Sequence, residues 1–437
     1  TQCLILIGTN PAVSRGSFIQ LPHPIRRLRA IEERGGRVFN VNPRRTETAK
    51  QLGTQVFIRP DTDVYFLLSF LHEVLRRDAV DHQRVRAHMK GLDALRKVSD
   101  AWSPERTSGV TGISPEQLRE MVDAYVGADG AALHLSTGVN QGSQGTLAYW
   151  IQESINAITG NLDRLGGTIV GRGYIEDFAK HARKGGHTMR KDLSRIGQLP
   201  SVADTFPAGL MADEILTPGD GQVRALFCIA GNPLLTVPNA NGRLEEALKA
   251  LELLVVIDIF RNETANHAHY ILPGSSAFQR ADLPFVFQSL MGVQPIPYAQ
   301  YTDALLPLDA EQRDETMILL QLARACGSRL FGSRLVSGFF RAWMGLGRVP
   351  LLGRWTGFTP GRVLALMARV FGLGSLDSLR ADAHGRLLEA NQGGDFLGKR
   401  VVTEDGLLDL GPAEFVDAAA ALGPRFAQEL AQRGKLK

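Results

Sequence analysis

The chain runs to 437 residues, 44% of them hydrophobic and 22% charged, an ordinary globular composition with room for two or three domains. Its 49 Lys and Arg against 45 Asp and Glu leave a net +4, too slight to call for a nucleic-acid or membrane partner but agreeable to an anionic ligand. No apolar stretch reaches the roughly 18 residues of a membrane span, and no charged-then-apolar leader signals secretion.

The first predicted element is the strand in LILIGTNPAVS (4–14), which breaks off into Gly8, Thr9 and Asn10 before Pro11. An amphipathic basic helix follows in PIRRLRAIEER (24–34), then a second apolar strand in GGRVFNVNPRRTETA (35–49) and the short strand VFIRP (56–60). In DVYFLLSFLHEVLRR (63–77), Val64, Leu67, Leu68, Leu71 and Leu75 recur at helical spacing. SPEQLREMVDAYVGA (114–128) carries its own start signal, with Ser114 as N-cap, Pro115 at the first helical position and Gln117 closing a capping box. ALHLSTGVNQGSQ (132–144) reads as a strand entering a polar, glycine-rich loop, whose Thr137, Asn140 and Gln141 are candidates for ligand contact. The next helix runs to Gly160, a suitable stop. Residues 171–220, which include HARKGGHTMRK, lack periodicity and read as a solvated connection.

The opening phrase then returns as LFCIAGNPLLT (226–236), followed by the helix NGRLEEALKA (241–250), the strand in LELLVVIDIFRNETA (251–265) and YILP (270–273). Both second strands end in a polar residue, Asn42 or Asp258, with Arg45 or Arg261 three residues later. Arg45, Glu47, Thr48 and Ala49 match Arg261, Glu263, Thr264 and Ala265 outright, and order, spacing and identity together indicate an internal duplication. Each copy reads as a β-α-β unit of a parallel sheet, its strands apolar throughout because helices cover both faces. Ligands of such sheets sit beyond the carboxyl ends of the strands, where Gly8, Asn10, Asn42, Arg45, Gly231, Asn232, Asp258 and Arg261 fall. Glycine admits close backbone approach to a phosphate, and helix N-termini offer N–H groups to it. An acidic strand end suits a ribose or a guanine amine. The bland alternative of a tight turn and a helix cap stays open for either copy alone, whereas the duplication favours two related half-sites.

Beyond residue 330, SRLVSGFFRAWMGLGR and TPGRVLALMARVFGLG read as amphipathic helices with core-facing stripes, and a last helix over about 412–432 is expected to break at Pro424. The predicted fold is α/β: two pseudo-repeated, doubly wound, Rossmann-like parallel-sheet lobes (1–170 and 221–330), a connecting segment (171–220) and a mostly helical C-terminal appendage (331–437). His267 and His269 in HAHY take strand spacing and face apart, His134 belongs to a strand, and His181 and His187 belong to a loop, so no metal-ligating pattern emerges. Cys3, Cys228 and Cys326 stand far apart with no Cys-x-x-Cys pair, and the first two lie in strand-like runs as buried thiols. No Gly-x-Ser-x-Gly elbow, Walker loop or His-Glu-x-x-His is present. Ligand pockets without a chemical actor fit a protein whose reactive centre belongs to a cofactor.

GTNPAVS, NVNPRRTETAKQLGTQVFIRPDTD, STGVNQGSQGT with AITGNLDRLGG, GNPLLTVPN, and VVIDIFRNETANHAHYILP follow in unbroken order over about residues 4–330. Together they resemble the molybdopterin oxidoreductases of the dimethyl-sulfoxide-reductase type, among them formate dehydrogenases, nitrate reductases and thiosulfate or polysulfide reductases. The tail motif GGDFLGKRVVTEDG resembles a subset of bacterial members. The resemblance implies two α/β lobes, each holding half of a bis(molybdopterin guanine dinucleotide) cofactor with molybdenum or tungsten, so that the recurring phrase answers to two nucleotide arms. It assigns Gly8, Asn10, Pro43, Arg44, Arg45, Asp61 and Asp63 to one dinucleotide, and Thr137 and Gln141 to the pterin side. Asn232, Asp258, Arg280 and Asp314 serve the other, with Asp258 placed for guanine or ribose. The sequence departs from the family pattern at Gln279, where an acidic residue is common, and at His269, where an aspartate is common.

Family members normally open with a cysteine-rich [4Fe-4S] segment and the residue that ligates molybdenum, and close with a β-rich domain over both dinucleotides. The resemblance places these outside the chain, which is therefore expected to be the central part of a longer enzyme acting on a small molecule, with an electron-transfer subunit as an open option. The cytoplasm is the expected compartment, and any upstream leader would leave the periplasm open. The rival reading is a scaffold, since the large peripheral subunit of respiratory complex I contains a related domain without molybdenum. Retention of Arg45, Gln141 and Asp258 argues against it. A plain nucleotide-binding dehydrogenase lacks support, because no Gly-x-Gly-x-x-Gly opens either unit.

Overall fold

The computed structural model describes residues 1–15, 21–172, 192–202, 205–237, 242–284, 297–346 and 358–433. The chain forms two compact units: Thr1–Lys180 with Phe285–Tyr298 and Leu387–Lys437, and His181–Pro284 with Ala299–Arg386.

The first unit is built on four parallel strands, β1 (Cys3–Ile7), β2 (Arg37–Asn42), β3 (Thr54–Phe57) and β4 (Ala131–Leu135), in the order β3-β2-β1-β4. Ile5 stands opposite Phe39 on one side and Leu133 on the other. Both faces of β1 are covered, as a continuous apolar run requires: Cys3, Ile5 and Ile7 enter the main core, while Leu6 packs with Leu28, Ile31 and Val38. Burial pushes the Cys3 thiol up to about 12, which makes it inert.

Helix Asp63–Arg76 buries far more than the stripe its spacing predicts, with Tyr65, Phe66 and Phe70 as enclosed as Leu67 and Leu71. A helix apolar all round belongs in the middle of a core. This one packs against helices Leu92–Asp100, Pro104–Thr111, Pro115–Val126 and Gly145–Ile158. Phe426, from helix Leu422–Arg433, meets Tyr65 and Trp102 edge-on at centroid distances of 5.0 and 5.2 Å. On the same central helix the buried Glu73 carboxylate is held by Arg76 (2.8 Å), Arg77 (3.2 Å) and Arg119 (3.3 Å), the pairing a buried charge needs.

The stretch from 387 onward is thus part of the first core. Buried Asp163, itself left-handed at φ +60, accepts the backbone N–H groups of Asp395, Phe396 and Leu397 at 3.1, 3.0 and 2.9 Å. The Trp150 indole donates to the Leu410 carbonyl at 3.1 Å and stacks on Phe415. A two-residue parallel ladder pairs Leu408–Asp409 with Met89–Lys90. The final helical stretch breaks at Ala421, between Ala413–Ala420 and Leu422–Arg433, so Pro424 lies in a first turn, where its missing N–H removes no bond.

The second unit carries three parallel strands, β5 (Ala225–Ile229), β6 (Leu253–Asp258) and β7 (Tyr270–Pro273), in that order. Cys228, Leu254 and Val256 share one core with Leu244 and Leu248 of helix Arg243–Ala250 and with Ile215 of helix Met211–Leu216. Part of the segment that reads as a solvated connection therefore supplies core, while HARKGGHTMRK lies outside the described residues. Val255 and Ile257 pack with Ile318 on the opposite face. Phe227 and Ile229, on the edge strand, stay 37% and 45% exposed, so cover on both faces holds for the first sheet and only in part for this one. HAHY is not a strand at its start: His267 closes a 3-10 turn, and His269 Nδ1 accepts the Leu254 N–H at 2.9 Å. Among the described residues no helix is long and apolar enough to cross a membrane.

Candidate functional site

The duplication becomes physical at the strand ends. β1 hands over to Gly8, left-handed at φ +61, whose N–H donates to the Val41 carbonyl at 3.0 Å. β5 hands over to Ala230, left-handed at φ +48, whose N–H donates to the Ile257 carbonyl at 2.9 Å. Ala230 is therefore the counterpart of Gly8, and Gly231 the counterpart of Thr9.

The two Asn-Pro turns and the two Glu-Thr-Ala runs form one clasp in each unit. Asn10 Oδ1 accepts the Thr48 N–H at 3.1 Å and the Thr48 hydroxyl at 2.9 Å, and Asn10 Nδ2 donates to Glu47. The Thr48 hydroxyl oxygen accepts the Ala12 N–H at 2.9 Å. In the second unit Asn232 Oδ1 accepts from Thr264 N (3.3 Å) and Thr264 Oγ1 (2.8 Å), Asn232 Nδ2 donates to Glu263, and Thr264 Oγ1 accepts the Leu234 N–H at 3.2 Å. The Oδ1 acceptors of Asn10 and Asn232 are thus filled within the protein while each amide keeps one further N–H, and the first N–H groups of helices Pro11–Ser14 and Pro233–Thr236 point inward to threonine. Arg44 pairs with Glu47 at 3.2 Å, and together with Asn10 holds that carboxyl at about 2.

The polar ends of the second strands brace the same turns. Asn42 donates to the Thr9 carbonyl at 3.3 Å. Asp258 accepts from Phe260 N (3.0 Å) and from Asn262 (3.1 Å), and Asn262 also donates to the Gly231 carbonyl at 3.2 Å. The Asp258 carboxylate is oriented but not filled, since it offers about four acceptor positions. Arg261 donates to Asn266 at 2.9 Å. Arg45, beside exposed Pro43, is exposed and has no hydrogen-bond or ion-pair partner among the described residues. Thr9 Oγ1, which sequence reasoning missed, is buried without a partner among them.

The loop after β4 closes against the first turn. A Cβ on Gly8 would stand 2.8 Å from Val139 N, and Gly138 N–H donates to the Gly8 carbonyl at 2.9 Å, so the close approach Gly8 permits is to this loop. Thr137 and Gln141 are exposed at the two ends of its short helical turn. Asp61, left-handed at φ +62, accepts from Ser143 N (2.7 Å) and Ser143 Oγ (2.8 Å), and pairs with Arg425 at 2.9 Å. Asp61, Asp63, Val139 and Gln144 line a shallow cleft. Burial, with the Asp61 charge adding to it, pushes the Asp63 carboxyl up to about 6. In the second unit Arg280 lies 3.8 Å from Glu315, and Asp314 caps helix Glu315–Ala325 by accepting the Thr316 N–H at 2.8 Å. Gln279 accepts the Ser276 N–H at 3.1 Å and donates to Gln312 at 2.7 Å, a role for an amide with both hydrogen-bonding senses.

The chain thus carries two parallel-sheet lobes with duplicated, polar strand ends. The molybdopterin oxidoreductase family matches residues 1–325, and the chain belongs to that family. The alpha subunit of F420-dependent formate dehydrogenase 1 from Methanococcus maripaludis is 26% identical over 282 residues, 63% of this chain and 41% of that protein. The assimilatory nitrate reductase catalytic subunit of Bacillus subtilis is 24% identical over 340 residues, 75% of this chain and 46% of its own length. Formate dehydrogenase H of Escherichia coli is 26% identical over 309 residues, 63% and 39% of the two chains. The chain thus spans less than half the length of these relatives. Acetylene hydratase from Pelobacter acetylenicus shares the fold at a TM-score of 0.70 and 17% identity, over 95% of this chain and 56% of that one. Membership of the family implies a molybdenum–molybdopterin cofactor. The donors present fit a phosphate-bearing group: among the described residues, Arg45 offers an unpaired guanidinium and Thr9 a buried, unpartnered hydroxyl.

Proposed function

We propose that this chain is the two-lobed cofactor-binding part of a molybdopterin-dependent oxidoreductase acting on a small molecule, and that its cofactor is the bis-guanine-dinucleotide form. The observation that carries the reading is the paired clasp, Asn10 with Glu47 and Thr48, Asn232 with Glu263 and Thr264, which braces one turn of the same kind in each lobe. When bound, the cofactor supplies two-electron exchange at the metal. The chain's residues bind and orient. Arg45 and Thr9 hold phosphate oxygens, and Asp258, fixed by Phe260 N and Asn262, accepts from a guanine amine or ribose hydroxyl. Thr137 and Gln141 face the pterin side, with Pro43, Arg44, Asp61 and Asp63 around the first nucleotide and Arg280 and Asp314 around the second. Cys3 and Cys228 are buried in separate sheets and Cys326 is exposed, an arrangement that favours a [4Fe-4S] cluster held by other residues than these.

The test is molybdenum and released guanine nucleotide, assayed on the purified protein and on Arg45→Ala and Asp258→Ala. Loss of one charged hydrogen-bonding partner should lower guanine retention about tenfold or more. Retention equal to wild type in both variants would sink the assignment, and absence of guanine and molybdenum from the wild type would sink the reading itself.

A further inference from the structure

Arginine and aromatic residues crowd a part of the chain that lies largely beyond the family match. From Thr316 to Leu376 there are eight arginines, two of the four tryptophans, and no Asp, Glu, Lys or His. That stretch carries +8 against +4 for the whole chain, so all other residues sum to 4 − 8 = −4. The mild overall charge conceals a strongly basic segment.

Within it, helix Arg334–Leu346 turns Phe340 and Trp343 toward Phe358, at centroid distances of 5.9 and 5.2 Å. On another face Leu335, Phe339 and Leu346 fall along one line at helical spacing, 86%, 55% and 44% exposed, with exposed Arg334 and Arg341 beside them. Helix Pro360–Val370 repeats the pattern with Leu366 and Val370, 44% and 72% exposed, next to exposed Arg369. Stripes this exposed are not core; they are additional to the inward faces, where Phe340 and Trp343 pack on Phe358 and Ala368 is buried.

We propose that these two helices form a docking surface for an anionic lipid bilayer. Thirteen residues make a helix about 20 Å long, too short for a hydrocarbon core of about 30 Å, so it lies along the interface instead of crossing it. Leucine, phenylalanine and valine enter the acyl boundary while the guanidinium groups reach lipid phosphates. An acidic protein would need a groove shaped to both stripes. A bilayer needs only apolar stripes flanked by cations, and a stretch without a carboxylate offers nothing for lipid phosphates to repel. The inference is independent of the cofactor reading.

The test is co-sedimentation of the full chain with vesicles of phosphatidylcholine alone and with about 30% phosphatidylglycerol, the source of the negative surface potential. Binding should be about tenfold or more tighter to the anionic vesicles and should weaken with salt. Leu335→Asp and Phe339→Asp change exposed positions, so thermal melting should hold while binding falls about tenfold or more. Arg334→Glu combined with Arg341→Glu should do the same. No sedimentation with anionic vesicles at low salt overturns the proposal, and so does binding that Phe339→Asp leaves intact. A concentration-dependent dimer abolished by Phe339→Asp, without vesicle binding, would give the stripe to a second copy and overturn it as well.

Discussion

One methyl group distinguishes the two turns. At Gly8 a Cβ would stand 2.8 Å from Val139 N on a backbone with φ +61, and the atom it meets is main chain, which has no rotamer to yield. Gly8→Ala should destabilise the first unit by about 3 kcal/mol. Ala230 already sits at φ +48, so in Ala230→Gly relief of the left-handed strain opposes the added freedom of the unfolded chain. The second unit should then be unchanged or up to about 1 kcal/mol more stable. Urea midpoints separate the two cases, and a clear loss from Ala230→Gly would contradict the strain argument. Asp63 makes a second residue-scale case. Burial first, then the Asp61 charge, raise its carboxyl from an ordinary 3.8 to about 6. A carboxyl that holds its proton more tightly when folded favours the folded state fully below about 4, and that advantage is lost as pH rises through about 6. Wild type should therefore lose up to about 3 kcal/mol over this window relative to Asp63→Asn. Urea midpoints of both proteins at several pH values check this, and parallel pH profiles would remove the buried acid from the account.

At the scale of elements, the tail decides how the first unit is held. Phe426 packs edge-on against both Tyr65 and Trp102, and Leu397, Leu410 and Leu422 are buried in the same core. Phe426→Ala should cost about 3–4 kcal/mol, and removal of residues 387–437 should leave the first unit open to proteolysis within residues 60–160. Unchanged resistance in the truncated chain would make the tail a mere attachment. Strands β1, β2, β5 and β6 and the helix cap at Ser114 were legible in the sequence because apolar runs, turn residues and capping chemistry act over a few positions. The tail's partners were not. Asp61 meets Arg425 across 364 positions, and Asp163 meets the 395–397 backbone across more than 230, with no local pattern to announce either. The all-round burial of helix Asp63–Arg76 was hidden for a related reason, since four separate helices between residues 92 and 158, and Phe426 from the tail, close on it from different sides. Of the candidate site, the matched Arg, Glu, Thr and Ala were visible as identities. Their work as clasps for Asn10 and Asn232 was not, because it depends on two loops being brought side by side.

At the scale of the molecule, the duplicated clasp gives each lobe its own closure, and that arrangement can be measured. Asn10→Ala strips Thr48 of the acceptor for both its N–H and its hydroxyl, and Asn232→Ala does the same to Thr264. Part-buried donors left unpaired cost about 1–3 kcal/mol, so each variant should weaken its own lobe by about 2 kcal/mol. Each clasp lies inside one compact unit, Asn10 with Thr48 in the first and Asn232 with Thr264 in the second. Hydrogen exchange of the full chain should therefore show lost protection in 4–14 and 37–57 for Asn10→Ala, and in 225–236 and 253–273 for Asn232→Ala. The double variant should show the sum of the two, to within about 0.5 kcal/mol, as independent sites do. If one substitution instead loosened both sheets, the two lobes would be a single cooperative body, and the repeat would serve a shared folding unit instead of two separate closures.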